Sequence, residues 1–160
     1  MKLQDRAGTL VGAHTAVSSS RPVMLVTFDV PVRSDAAALA VDSAVESGQP
    51  LLLVNVVDLP IRPMTAAWGQ DVVVLEDVDA SLRAPAELAH SLAVTVERLR
   101  VVSPRPVTAL LELVGERLPG LLVVGPDRSR VSRWRLRRAE RRICRSAPCL
   151  VWTGADLEIR

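Results

Sequence analysis

The apolar positions of this chain fall mostly into continuous runs rather than alternations. VMLVTFDV ends the stretch 21–30, LLLVNVV fills 51–57, GLLVVG fills 120–125 and CLVWT fills 149–153. A run with no polar face predicts a strand buried on both sides, as in a parallel sheet. Between the runs the period lengthens to that of a helix. DAAALAVDSAVES (35–47) puts Ala38, Val41 and Val45 on one face, with Ser34 and Asp35 as caps and Gly48 as the stop. SLRAPAELAHSLA (81–93) predicts a second helix, with Pro85 in its first turn or at its true start. Pro106 opens a third, whose stripe is Val107, Leu110, Leu111, Val114 and Leu118. Residues 133–146 form a fourth. VTVERLRVV (94–102) alternates instead, which predicts an edge strand. VVVLED (72–77) reads as a short strand or a docked loop.

Strand and helix alternate about once per 30 residues, which predicts an α/β fold: an open five-stranded parallel sheet of order 3-2-1-4-5 with helices on both faces. The length suits one domain. We expect a leader over 1–20, the domain over 21–154 and a short tail over 155–160. The leader lacks a basic start with a sustained apolar stretch, and no run approaches a membrane span, so a cytoplasmic protein without a membrane partner is expected.

Charge sharpens this picture. The net charge is only +2, yet RSRVSRWRLRRAERRICR (128–145) holds nine of the chain's twenty basic residues and one of its eighteen acidic ones. A strip of net +8 therefore lies on a body of net −6. Aromatic residues are scarce: one Phe and three Trp. A site that stacks flavin or several bases on rings is not expected.

In such a sheet, ligands bind beyond the carboxyl ends of the strands, where strand order reverses. That crevice lies between strands one and four, whose loops begin at Asp29 and Gly125. Asp29 reads equally as a turn or cap residue, and Gly125 as a sharp turn. No dinucleotide or P-loop glycine motif follows a strand. His90 has no visible Ser or Cys partner, and the folded part has no lysine. Cys144 and Cys149 read as small buried side chains, although nearby arginines would lower a thiol pKa. No catalytic residue and no metal site is expected.

The order of elements, with LLVVG at 121–125 and APC at 147–149, resembles the universal stress protein family over roughly 21–154. The resemblance implies the adenine nucleotide alpha hydrolase-like fold, a non-enzymatic role in the stress response, and dimerisation through the fifth strand. Members that bind ATP carry an Asp at the end of strand one, matched by Asp29, and a small or apolar residue after strand two, which Val56 could match. They also carry Gly, two residues, Gly, nine residues, Gly, then Ser or Thr, whose backbone amides wrap the phosphates. Here Gly125 matches the first glycine, and none follows in PDRSRVSRWRLRRAE. The last glycine and its hydroxyl partner fall at Arg137 and Arg138, and Val30-Pro31 replaces the usual Gly-Ser. ATP is therefore not expected as a cofactor in the family's manner. Arg128, Ser129, Arg130, Arg137 and Arg138 leave open an anion or nucleotide site built on side chains.

On the fourth helix, Leu136, Ala139, Ile143 and Ala147 line the expected core face, while Arg137, Arg138, Arg141, Arg142, Arg145 and Trp134 cover the other. Trp134 sits three and four residues before Arg137 and Arg138, at cation–π spacing from both. The arginines read as a solvated face, an interface or an anion site. The acidic stretch with Asp71, Glu76, Asp77 and Asp79 could supply counter-charge within or between subunits. A homodimer, an acidic protein partner or an anionic ligand is expected; a nucleic acid is not, because one strip with little aromatic interleaving is a weak signal.

Overall fold

The computed structural model describes residues 20–59 and 71–154, with only the backbone over 71–75. The elements are β1 (Val23–Thr27), α1 (Ser34–Ser47), β2 (Leu51–Asp58), α2 (Asp71–Ser91), β3 (Val96–Ser103), α3 (Pro106–Arg117), β4 (Leu121–Val124), α4 (Arg133–Ser146) and β5 (Leu150–Trp152). The strands pair in parallel in the order β3-β2-β1-β4-β5. The continuous apolar runs of β1, β2 and β4 occupy the three central places, where both faces are covered. The alternating run, β3, lies at one edge.

Strand side chains alternate between two cores. Val23, Leu25, Leu51 and Leu53 meet Ala36, Ala40, Val41 and Ala44 of α1 and Val78, Leu82 and Ala89 of α2. Met24, Val26, Leu52, Val54, Val56, Leu122 and Val124 meet Leu110 and Val114 of α3 and Ile143 of α4. Two helices therefore cover each face, as the pattern predicts.

Four local expectations change. Residues 72–77 are the beginning of α2, which starts at Asp71 and carries the buried Pro85 inside it. The β-branched run reads as strand by local preference, and tertiary packing overrides that preference. The buried face of α1 is the alanine stripe 36–40–44 with Val41; Ala38 and Val45 are exposed. Small residues let this helix lie close on the sheet. Leu118 ends α3 in a left-handed cap and points to water. Ser34 is the first residue of α1 rather than its cap, and Asp35 accepts the Ala36 N–H at 2.8 Å.

Helix and sheet come into close contact at Gly125. A Cβ placed there would lie 2.3 Å from Ala36 Cβ and 3.4 Å from Leu25 Cδ1. The first turn of α1 thus rests directly on the backbone leaving β4. Gly125→Ala should destabilise the protein by about 1–3 kcal/mol through overpacking. Adding Ala36→Gly should recover stability, less the roughly 1 kcal/mol that glycine costs inside a helix. Urea unfolding of the two variants checks this, and a double variant no more stable than Gly125→Ala would refute the contact as the cause.

Candidate functional site

β1 and β4 are neighbours whose connections leave toward opposite faces, so their carboxyl ends form the crevice expected to bind ligands. Two buried polar residues interrupt the apolar runs there. Thr27 and Asn55 are register partners on β1 and β2 and are fully or almost fully buried. The Thr27 hydroxyl donates to the Val30 carbonyl, and Asn55 Oδ1 accepts the Asp29 N–H at 3.0 Å. These bonds hold Asp29 at φ 54°, a left-handed conformation that Asp tolerates better than most residues.

The β1 and β4 loops are joined by backbone. Val32 bridges Pro126 in antiparallel fashion, Arg33 N donates to Gly125 O at 2.9 Å, and Asp127 N donates to Pro31 O at 2.8 Å. Above this bridge lies a cluster of charges. Arg33, with a side chain 17% exposed, makes a two-pronged contact with Asp35 at 2.9 and 2.6 Å. Its guanidinium also lies 5.4 Å from the Trp152 ring centroid. Gly154, at φ 61°, makes room: a Cβ there would come within 2.1 Å of Arg33 Nη2 and 2.8 Å of the Trp152 ring.

The residues that follow Gly125 are engaged with their own chain. Arg128 Nη2 donates to the Thr153 carbonyl at 2.9 Å and to Glu140 Oε1 at 3.3 Å, tying the loop to α4 and to the end of β5. The Ser129 N–H and hydroxyl both donate to Asp127 Oδ1, at 2.9 and 2.7 Å. Arg130 donates to Asp77 of α2 at 3.3 Å and lies 3.9 Å from Asp127. The expected site residues are thus partly assembled. Asp29, Gly125, Arg128, Ser129 and Arg130 lie on the two loops of the crevice. Val56 lies inside β2 and is fully buried toward α3, so its side chain is in the core. Arg137 and Arg138 lie on the exposed side of α4, with Arg138 5.5 Å from the Trp134 ring.

Titration reflects this packing. Burial pushes the Glu140 carboxyl upward from its ordinary value, against the pull of Arg128, Arg33 and Arg137. The Arg33 hydrogen bond holds Asp35 low, and hydrogen bonds from Ser129 hold Asp127 low. Cys144 is exposed rather than buried, and burial raises the Cys149 thiol despite the opposing pull of Arg21. Among the described residues, no cluster of side chains fits a metal ion. No described helix is long and apolar enough to cross a membrane.

The sequence model of the universal stress protein family matches residues 20–153. The chain belongs to the universal stress protein family. Solved structures share its fold. A universal stress protein family member from Burkholderia pseudomallei is 17% identical with a TM-score of 0.55, covering 82% of this chain and 95% of its own. The Archaeoglobus fulgidus universal stress protein in complex with dAMP is 16% identical with a TM-score of 0.56, covering 81% and 94%. A universal stress protein in complex with cAMP is 22% identical with a TM-score of 0.54, covering 83% and 97%. No curated protein matches the chain by sequence.

Three residues of this universal stress protein's crevice escaped the sequence reading: Asn55, Arg33 and Glu140. Asn55 was visible as the one polar position inside LLLVNVV. Glu140 lies about 40° from Leu136 on the helical wheel, inside the buried stripe. Arg33 carried no signal, since its stacking on Trp152 depends on β5 returning beside the start of α1.

Glu140 gives a pH signature. Its folded value is raised, so its contribution to stability is complete below the ordinary glutamate range and is lost as pH rises through the raised value. Asp35 and Asp127 run the other way: their contributions are present above the ordinary aspartate range and are lost as pH falls through their lowered values. Glu140→Gln keeps an acceptor for Arg128 without ionising. Its stability relative to the native chain should therefore rise as pH is raised between about 4 and 7. Arg128→Ala, which strands the Glu140 carboxylate, should cost about 1–3 kcal/mol at neutral pH. Urea unfolding across that range checks both, and a Glu140→Gln difference that stays flat with pH would remove the carboxyl from this role.

Proposed function

We propose that this protein is a homodimeric regulatory member of the universal stress protein family in which the nucleotide cradle has become an internal clamp. The observation that carries this reading is the occupancy of the β4 loop. Arg128, Ser129 and Arg130 stand where backbone amides would wrap phosphates, and each already donates to an acceptor of its own chain. A nucleotide phosphate would have to break those contacts and displace Glu140, Asp127 and Asp77, three carboxylates that repel it. The loop is also held against the β1 loop by the Val32–Pro126 bridge. Regulation then rests on protein partners instead of a bound nucleotide.

The dimer reading draws on β5. It is a three-residue strand at the sheet edge, and Leu150 on it is 70% exposed. Among the described residues its outer backbone edge pairs with no other strand, which invites pairing with a second copy. The likeness to structures holding dAMP and cAMP makes those nucleotides, with ATP, the ligands to test.

Thermal melts with ATP, dAMP or cAMP should show no shift, whereas a ligand of the folded state present at 100 times its Kd stabilises by about 2.7 kcal/mol. A shift with any of them would replace the clamp reading with an arginine-based nucleotide site. Light scattering should give twice the 17.3 kDa chain mass. Leu150→Lys should return it to one chain mass without loss of fold, and a native chain that runs as a monomer would overturn the dimer.

A further inference from the structure

We propose that the outer face of α4 is a docking surface for nucleic acid, with phosphates along its arginines and a base stacked on Trp134. The helix carries seven arginines, Arg133, Arg135, Arg137, Arg138, Arg141, Arg142 and Arg145, and all of them are exposed. Among the described residues none of the seven forms a salt bridge. By contrast, Arg33, Arg83, Arg98, Arg117, Arg128 and Arg130 each pair with a carboxylate. Two residues of the acidic stretch that could have balanced α4 are committed elsewhere: Asp77 pairs with Arg130, and Asp79 with Arg83 and Arg98. The one carboxylate on α4, Glu140, is buried and faces Arg128. Like charges in this density repel one another, and only the attraction of Glu140 for Arg137 and the Arg142 bond to the Thr108 hydroxyl at 2.9 Å offset this among the described residues.

Geometry narrows the partner. At 100° per residue, Trp134, Arg138, Arg141 and Arg145 form one line down the middle of the exposed face, flanked by Arg137 and Arg142. The line is about 16 Å long at 1.5 Å per residue, with cations every ~5–6 Å. That is a ladder of bidentate donors for successive phosphates. Trp134 heads the line and is 67% exposed. Arg138 lies over its ring at 5.5 Å, and the remaining exposed ring surface can take a base. An anionic membrane fits less well, because the apolar side chains of α4, Leu136 and Ile143, are buried in the protein and cannot insert. An acidic protein surface would use the arginines but has no need of the exposed indole. This reading departs from the sequence expectation against nucleic acid because none of the seven α4 arginines is ion-paired among the described residues, although Arg142 also donates to the Thr108 hydroxyl at 2.9 Å, and the strip's lone aromatic stands among them.

The test is fluorescence anisotropy of a labelled single-stranded oligothymidine titrated with the full chain at several salt concentrations. Binding should weaken with salt along a straight line in log Kd against log salt. The triple variant Arg138→Gln/Arg141→Gln/Arg145→Gln should reduce that slope by about 2. Trp134→Ala should weaken binding roughly tenfold while leaving the slope unchanged, and oligothymidine should quench the tryptophan fluorescence of the native chain more than that of the variant. All four side chains are exposed, so circular dichroism should confirm an unchanged fold. No binding at low salt overturns the proposal. So does displacement by polyglutamate at equal charge concentration with no effect of Trp134→Ala, which would assign the face to acidic proteins. Binding of phosphatidylserine vesicles but not of the oligonucleotide would assign it to a membrane surface.

Discussion

The absence of a side chain at Gly125 is the constraint on which the rest of the crevice depends. With only 2.3 Å between the position of a Cβ there and Ala36 Cβ, α1 settles onto the end of β4 as no larger residue would allow. That approach brings Arg33 N to Gly125 O and closes the Val32–Pro126 bridge. It also delivers the Arg33 guanidinium to the ring of Trp152 and the carboxylate of Asp35. Gly125, having no side chain, serves here to seat a helix.

Buried polar groups extend this order outward. Thr27 and Asn55 set the path of the β1 loop through one hydrogen bond each. Beyond them, Arg128 joins the β4 loop to α4 and β5, and Arg130 joins it to α2. Half-buried bonds of this kind matter more for geometry than for net stability, because desolvation offsets much of their attraction. Glu140 is the clearest case: even beside Arg128 its burial favours the neutral form. The result is a loop held in one conformation by contacts to three other elements.

Most of the fold was legible because burial on two faces leaves an unmistakable trace, a run of apolar residues with no polar alternate. LLVVG and VMLVT could occupy only the centre of a sheet. The start of α2 was not legible, because VVV prefers strands locally and its helical state is set by packing. Val56 shows what period two does to a strand end. The strand runs on to Asp58, so the side chain of position 56 packs toward α3 while that of position 55 lies beside α2 and bonds the Asp29 loop. Arg33, Glu140 and Trp152 meet only through long-range folding. Their spacing in sequence carries no mark of it.

The two halves of the arginine-rich segment follow opposite electrostatic rules. In the loop, Arg128 and Arg130 each have a carboxylate within 3.3 Å, so their charge is spent inside the molecule. On α4 the arginines have water on one side and an apolar core on the other, and among the described residues none of them forms an ion pair. A guanidinium already paired offers little to an incoming phosphate, since binding must first break a formed contact. An unpaired one at the surface gives up only water and counterions, and releasing those counterions favours association. The two halves therefore differ in what an incoming anion would meet: formed ion pairs in the loop, and arginines without an ion pair on the helix.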